Sequence, residues 1–160
     1  YMHNRTRMIV GMFLTKDLLL DWKEGEKFFA QHLTDIDWCQ NAGNWHWCDG
    51  TGADGSAWLR IFNPWTQQEK FDPDCKYIKE YVEELRDVPV HSIHKWHQDY
   101  ASFKECGYPK PIVDHDERRH ACLIAYGEET KANSAAKGKG KGKGKQKVLT
   151  DYPEHDHGEA

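Results

Sequence analysis

Residues 35–47 read Asp-Ile-Asp-Trp-Cys-Gln-Asn-Ala-Gly-Asn-Trp-His-Trp, two carboxylates, an amide at Asn41 and three tryptophans in one short stretch. Asp35 and Asp37 come just before a run that reads as a helix. A helix N-terminus presents backbone N–H groups that no earlier turn accepts from, so a carboxylate there has donors to meet. Asn41 and Trp45 are four residues apart and share a helical face, while Trp47 points elsewhere. An amide beside an indole suits a flat, partly polar heterocycle better than it suits aliphatic packing.

The elements that must position these groups are helical. His3 to Leu20 carries Met8, Ile9, Met12, Phe13 and Leu20 at helical spacing, leaving Arg5, Arg7 and Lys16 for polar contacts. Asp21-Trp22 is expected to end that helix, and Lys23 to Leu33 to form the next with Phe28, Phe29 and Leu33 inward. A Gly-rich loop is expected from Cys48 to Trp65, with no Gly-Lys-Ser/Thr to make it a phosphate cradle. Asp74 to Leu85 reads as an amphipathic helix with Tyr77, Ile78, Tyr81, Val82 and Leu85 apolar, closed by Val88-Pro89. Asp114 to Tyr126 reads as a last helix burying Ala121, Leu123, Ile124 and Ala125. The fold class expected is all-α. On the residues alone, Asn4, Arg5 and Arg7 form a solvated helix face and Trp22 is core. His91, His94 and His97 recur every third residue with no acidic or thiol ligands in a set pattern, so no metal is expected there.

The chain has 160 residues, 30% charged and 38% hydrophobic, which bounds it to one modest domain or a piece of one. No apolar run approaches the ~18–20 residues of a membrane span. The sequence opens on Tyr1 rather than Met, and the expectation is a piece of something longer. Five cysteines, odd in number and without a Cys-x-x-Cys pair, argue against zinc or a disulfide framework and for an intracellular, reducing compartment. Through residue 136 there are 16 Lys+Arg against 22 Asp+Glu, a net of −6, and residues 137–147 add six lysines. Lys-Gly alternates over 137–145 and cannot bury a core. That tail reads equally as a solvated extension or as a segment for phosphate attraction or nuclear import. Residues 1–130 are expected to form one domain, and 131–160 a disordered tail, basic and then acidic.

Several ordered motifs carry a resemblance: Tyr-Met-His-Asn-Arg-Thr-Arg-Met (1–8), Thr-Lys-Asp-Leu-Leu-Leu-Asp-Trp (15–22), Asn-Ala-Gly-Asn-Trp-His-Trp (41–47), Arg-Ile-Phe-Asn-Pro (60–64), Glu-Lys-Phe-Asp-Pro (69–73), Glu-Leu-Arg-Asp-Val-Pro (84–89) and Tyr-Pro-Lys-Pro-Ile-Val-Asp (108–114). In order and spacing they resemble the photolyase/cryptochrome family, specifically the C-terminal part of its helical FAD-binding domain, over residues 1 to about 126. Class I cyclobutane pyrimidine dimer photolyases are the most similar in pattern.

The resemblance implies light-driven repair of pyrimidine dimers in DNA by electron transfer from reduced, anionic FAD. It assigns cofactor contacts to Asn4, Arg7, Asp35, Asp37 and Asn41, with Arg7 pairing Asp35 and Asn41 facing flavin N5. It assigns DNA or lesion contacts to Asn4, Arg5, Met8, Trp47 and Gln67, Trp47 as the platform on which an extruded dimer stacks. Trp22 and Trp45 match the middle and inner members of an electron-hopping chain, a role that suits indole because it is readily oxidised. The outer member lies upstream of this chain in the family, as does the α/β domain that binds an antenna pigment. A complementing upstream chain is therefore an expected partner besides damaged DNA. Plant-type cryptochromes carry Asp where Asn41 stands, so Asn41 favours repair over a blue-light receptor; an inactive truncated remnant is the further alternative. His46 is left without a role.

Overall fold

The computed structural model describes residues 1–52 and 60–137, with side chains described through residue 127. The described residues are all-helical, as expected, with eight α-helices and no strand. The expectation of a disordered basic-then-acidic tail falls mostly outside them. The part that falls inside is helical: the last helix runs past Lys131 to Lys137.

The first helix, α1 (Asn4–Met12), is capped by the His3 side chain, which accepts from Arg5 N–H. It passes without a break into a π-helical turn, Phe13–Asp17, where Leu18 N–H reaches back to Phe13 carbonyl. The chain then leaves the helical path at Leu19, whose φ is +55°. The expected helix to Leu20 therefore stops at Asp17, and Leu20 is 52% exposed. Asp21 does not end that helix; it caps α2 (Trp22–His32), accepting from Lys23 N–H at 3.0 Å, and Trp22 opens it.

Of the residues expected inward on α2, Phe29 is buried, Leu33 is half-buried and Phe28 is exposed, stacked on the His32 ring at 4.0 Å. Helix α3 (Trp38–Asp49) is capped by Asp37, which accepts from Gln40 N–H at 2.8 Å. It closes on Gly50 at φ +88°, a left-handed conformation that glycine adopts without Cβ strain. Cys48 thus belongs to this helix and is buried, not part of the expected loop. The loop ends earlier than expected too, because Asn63 caps α4 (Pro64–Phe71) and Pro64 supplies the fixed φ of a first turn.

α2 and α3 lie against each other at glycine. A Cβ on Gly25 would overlap the Trp45 ring, and one on Gly11 of α1 would come within 2.7 Å of Cys48 Sγ. This first core holds Met12, Phe29, Trp45 and Cys48. A second core gathers Cys75, Leu85, Val88, Ile93 and Trp96. It is built by α5 (Lys76–Tyr81), a 3₁₀ turn Glu83–Leu85, α6 (Val90–His94) and α7 (Trp96–Phe103). The expected single helix over 74–85 is broken: Cys75 sits at φ +52°, α5 closes at Val82, and Tyr77 and Tyr81 are exposed, with their rings 4.8 Å apart.

A further 3₁₀ turn, Lys104–Cys106, leads toward α8 (His115–Lys137). Here too the burial differs from expectation. Cys122 and His115 are buried, Ala121 is half-buried, and Leu123, Ile124 and Ala125 are exposed. α8 docks on the π-helical turn through polar groups rather than aliphatic ones. Lys16, only 1% exposed and so not left at the surface, donates from Nζ to Asp49 carbonyl at 2.7 Å and to Tyr126 Oη. Asp17 Oδ1 meets His115 Nδ1 at 2.6 Å, and Arg118 donates to the Asp17 carbonyl. Among the described residues no helix is long and apolar enough to cross a membrane.

Candidate functional site

Three helices set the site. α1 presents Arg7 and Met8, α2 presents Phe29, and α3 presents Asn41, Asn44, Trp45 and Cys48; together they line one hollow. Asn41, Trp45 and Cys48 fall at i, i+4 and i+7, so the 3.6-residue period puts them on the same stripe of α3. Trp45 is 2% exposed and meets Phe29 edge to face at 5.0 Å. Burial pushes the Cys48 thiol up to about 11, although Lys16 nearby opposes the shift, so Cys48 stays protonated and lines the hollow as a small apolar group.

The polar edge is held by two contacts. Asn41, 4% exposed, donates from Nδ2 to the Glu26 carbonyl at 3.0 Å and to Glu26 Oε1 at 3.2 Å. A buried amide tied in this way has a fixed direction. Arg7 pairs with Asp35 at 2.5 Å and donates from Nε to Met2 carbonyl at 2.8 Å. Burial alone would raise the Asp35 carboxyl; the hydrogen bond and charge of Arg7 outweigh it and hold it below the usual carboxylate range. Asp35 and Asp37 therefore do different things. Asp37 caps α3, and Asp35 is an ion-pair partner rather than a second cap.

Asn4, Arg5, Trp47, Gln67 and Trp22, also singled out by sequence, do not line this hollow. Asn4 Nδ2 lies 3.6 Å from Met8 Sδ on the exposed end of α1. The Arg5 guanidinium lies over the Phe71 ring of α4 at 4.2 Å, which joins α1 to α4. Trp47 is half-buried, points away from Trp45's face, and lies between the Arg60 guanidinium at 4.8 Å and the Phe62 ring at 6.5 Å. Gln67 lies on α4, where its Oε1 is buried without a hydrogen-bond partner. Trp22 is half-buried rather than core, with the His46 ring 4.1 Å from its own.

Among the described residues no group of three or more His, Cys, Asp or Glu is placed to hold a metal ion. His94 instead contacts Gln68, Cys75 and the Pro73 carbonyl, and His97 lies against Trp65. Sequence reasoning missed Phe29, Asn44 and Cys48 as lining residues and Glu26 as the anchor of Asn41. The i+7 step from Asn41 was enough to find Cys48. Glu26 carried no local signal, since it sits fifteen residues away on another helix.

The described residues form an all-helical domain in which a buried amide, a partly exposed arginine–carboxylate pair and an indole–phenyl contact gather near one hollow. Residues 1–128 match the family model described as the FAD binding domain of DNA photolyase, and the chain belongs to that family. Over 129 residues it is 49% identical to a deoxyribodipyrimidine photo-lyase of Escherichia coli, a match covering 79% of this chain and 27% of that protein. The chain thus spans about a quarter of the length of the curated relatives it matches. Its structure is similar to that of an archaeal photolyase from Sulfolobus tokodaii solved with two FAD molecules, at TM-score 0.72 and 47% identity, covering 80% of this chain and 28% of that one. A Synechocystis cryptochrome is similar at TM-score 0.70 and 34% identity, covering 78% and 27%.

Proposed function

We propose that this chain supplies one wall of a FAD site in a light-driven DNA photolyase acting on cyclobutane pyrimidine dimers. The observation that carries the reading is the joint placement of buried Asn41 and of Arg7, which pairs with Asp35, on the hollow floored by Phe29 and Trp45. That donor set fits an isoalloxazine: apolar side chains for its faces, an amide and an ion pair for its polar edges. FAD in its reduced, anionic form supplies the electron that splits the dimer. The chain's own residues orient the ring, keep water from it, and hold a positive guanidinium near it, which favours the anion. Asn4, Arg7, Asp35, Asp37 and Asn41 are the cofactor residues of this reading. Trp22 and Trp45 form an electron relay. Asn4, Arg5, Met8, Trp47 and Gln67 face the lesion, with Trp47 as the stacking platform. Damaged DNA and the remainder of a photolyase, in the same chain or in trans, are the partners.

The test is a chimera in which residues 1–128 replace the matching segment of the Escherichia coli relative. Stoichiometric FAD and light-dependent dimer reversal are expected, and Trp47→Ala should weaken preference for dimer-containing over intact DNA by ~1–3 kcal/mol with FAD content unchanged. A chimera that folds without FAD removes the reading. One that holds FAD, responds to light and leaves dimers intact assigns the site to light sensing instead. Residues 1–160 alone are expected to hold FAD poorly, since they provide a single wall.

A further inference from the structure

We propose that His46 controls, through its charge, how readily Trp22 is oxidised. The functional consequence rests on the reading of Trp22 and Trp45 as an electron relay; the physical effect does not. The two rings are in contact, with centroids 4.1 Å apart and planes inclined at 45°. His46 is not free to turn away, because Nδ1 lies 2.9 Å from Thr51 Oγ1 just past the C-terminus of α3. The register of α3 brings this about. Trp45 faces the core, so its neighbour His46 is carried round toward the first residue of α2, where Trp22 stands half-buried.

In the transfer concerned, Trp22 gives one electron to oxidised Trp45. Trp45 returns to neutral indole, Trp22 becomes a cation radical, and no proton has to move. The oxidant that precedes Trp45 would be the FAD of the proposed site in its oxidised state after light absorption, which this transfer returns toward the reduced form that the proposed function uses. An imidazolium in ring contact opposes a second positive charge on Trp22, whereas neutral imidazole does not. Imidazole is the side chain that ordinarily changes charge between pH 5 and 8. Protonated His46 thereby holds the relay back, and neutral His46 opens it.

Among the described residues, the charged groups nearest this contact are engaged elsewhere or lie farther off. On α2, the Lys23 ammonium is 5.9 Å from the Trp22 ring and the carboxylate of Asp21, just ahead of that helix, caps Lys23 N–H. Glu26 holds Asn41. On α1, Arg7 is paired with Asp35. On the π-helical turn, Lys16 faces Asp49 and Tyr126, and Asp17 faces His115. On α3 itself, Asp49 accepts from Tyr126.

The experiment uses the full chain without flavin. Azidyl radicals, which take one electron from indole and become azide, are generated in solution at pH 8 and pH 5. Oxidised tryptophans are then quantified by peptide mass spectrometry. Trp38, 64% exposed, serves as the internal reference. Oxidation of Trp22 relative to Trp38 should fall at least threefold from pH 8 to pH 5. His46→Gln should keep it at the high value at both pH values, and His46→Lys, a fixed charge, at the low value at both. Circular dichroism checks that each variant is as helical as the parent. A Trp22 yield that ignores pH, or that follows pH equally in His46→Gln, overturns the proposal. Failure of the chimera to bind FAD would count against the proposed function and leave this measurement standing.

Discussion

Two carboxylates in this chain carry opposite pH signatures. Asp35 is held below its ordinary value of 3.8, so its pairing with Arg7 stabilises the fold fully above that pH and is lost as pH falls through the depressed value. Arg7→Gln should therefore flatten the loss of stability below about pH 4, read by denaturant unfolding at pH 3 and pH 6. Asp17 is the reverse case. Burial raises its carboxyl even though His115 and Arg118 pull it down, and Oδ2 has no hydrogen-bond partner. A raised acid favours the fold as pH falls, and its charge costs most at high pH. His115→Ala removes the contact to Oδ1 and should destabilise by ~3–5 kcal/mol near neutrality, less in acid where Asp17 takes a proton. Thermal unfolding across pH 4 to 8 checks both the size and the slope; a loss that grows in acid would contradict the assignment.

At the scale of helices, the contact between α2 and α3 depends on having no side chain at Gly25. Gly25→Ala should push Trp45 out of place and cost ~1–3 kcal/mol. Gly43 lies in α3 with open space around the position of a Cβ, so Gly43→Ala should stabilise by ~0.5–1 kcal/mol through helix propensity alone. Midpoints of urea unfolding that move the same way for both would refute the packing argument. The helices round the hollow were legible because their period, the Asp37 cap and the Asn41–Trp45 step are local patterns. What was not legible came from further off. Leu18-Leu19-Leu20 contains no glycine or proline, so nothing local announces the positive φ that stops the first helix. The inward face of α8 was misread because its partners are Lys16 and Asp17, and a polar docking surface leaves no apolar stripe to follow. Ordered motifs identified the family where periodicity alone gave only a helical class.

At the scale of the molecule, several large apolar side chains among the described residues reach solvent: Trp38 is 64%, Phe28 56% and Ile112 74% exposed. Contiguous exposed apolar surface favours association. Sedimentation of residues 1–160 between about 1 and 100 μM should show mass rising with concentration; a monomer throughout would mean that these side chains are too scattered to matter. A second property follows from how far apart in sequence the docking contacts of α8 lie. Lys16 and Asp17 are translated first, and His115, Arg118 and Tyr126 follow 98 to 110 residues later. At ~5–20 residues per second, the two early charges wait roughly 5–20 s for the groups that enclose them. Nascent chains stalled before His115 should be cut rapidly by protease near the π-helical turn, and protection should arrive only once Tyr126 has cleared the exit tunnel. The ribosome, by the order in which it releases residues, decides when this core can close.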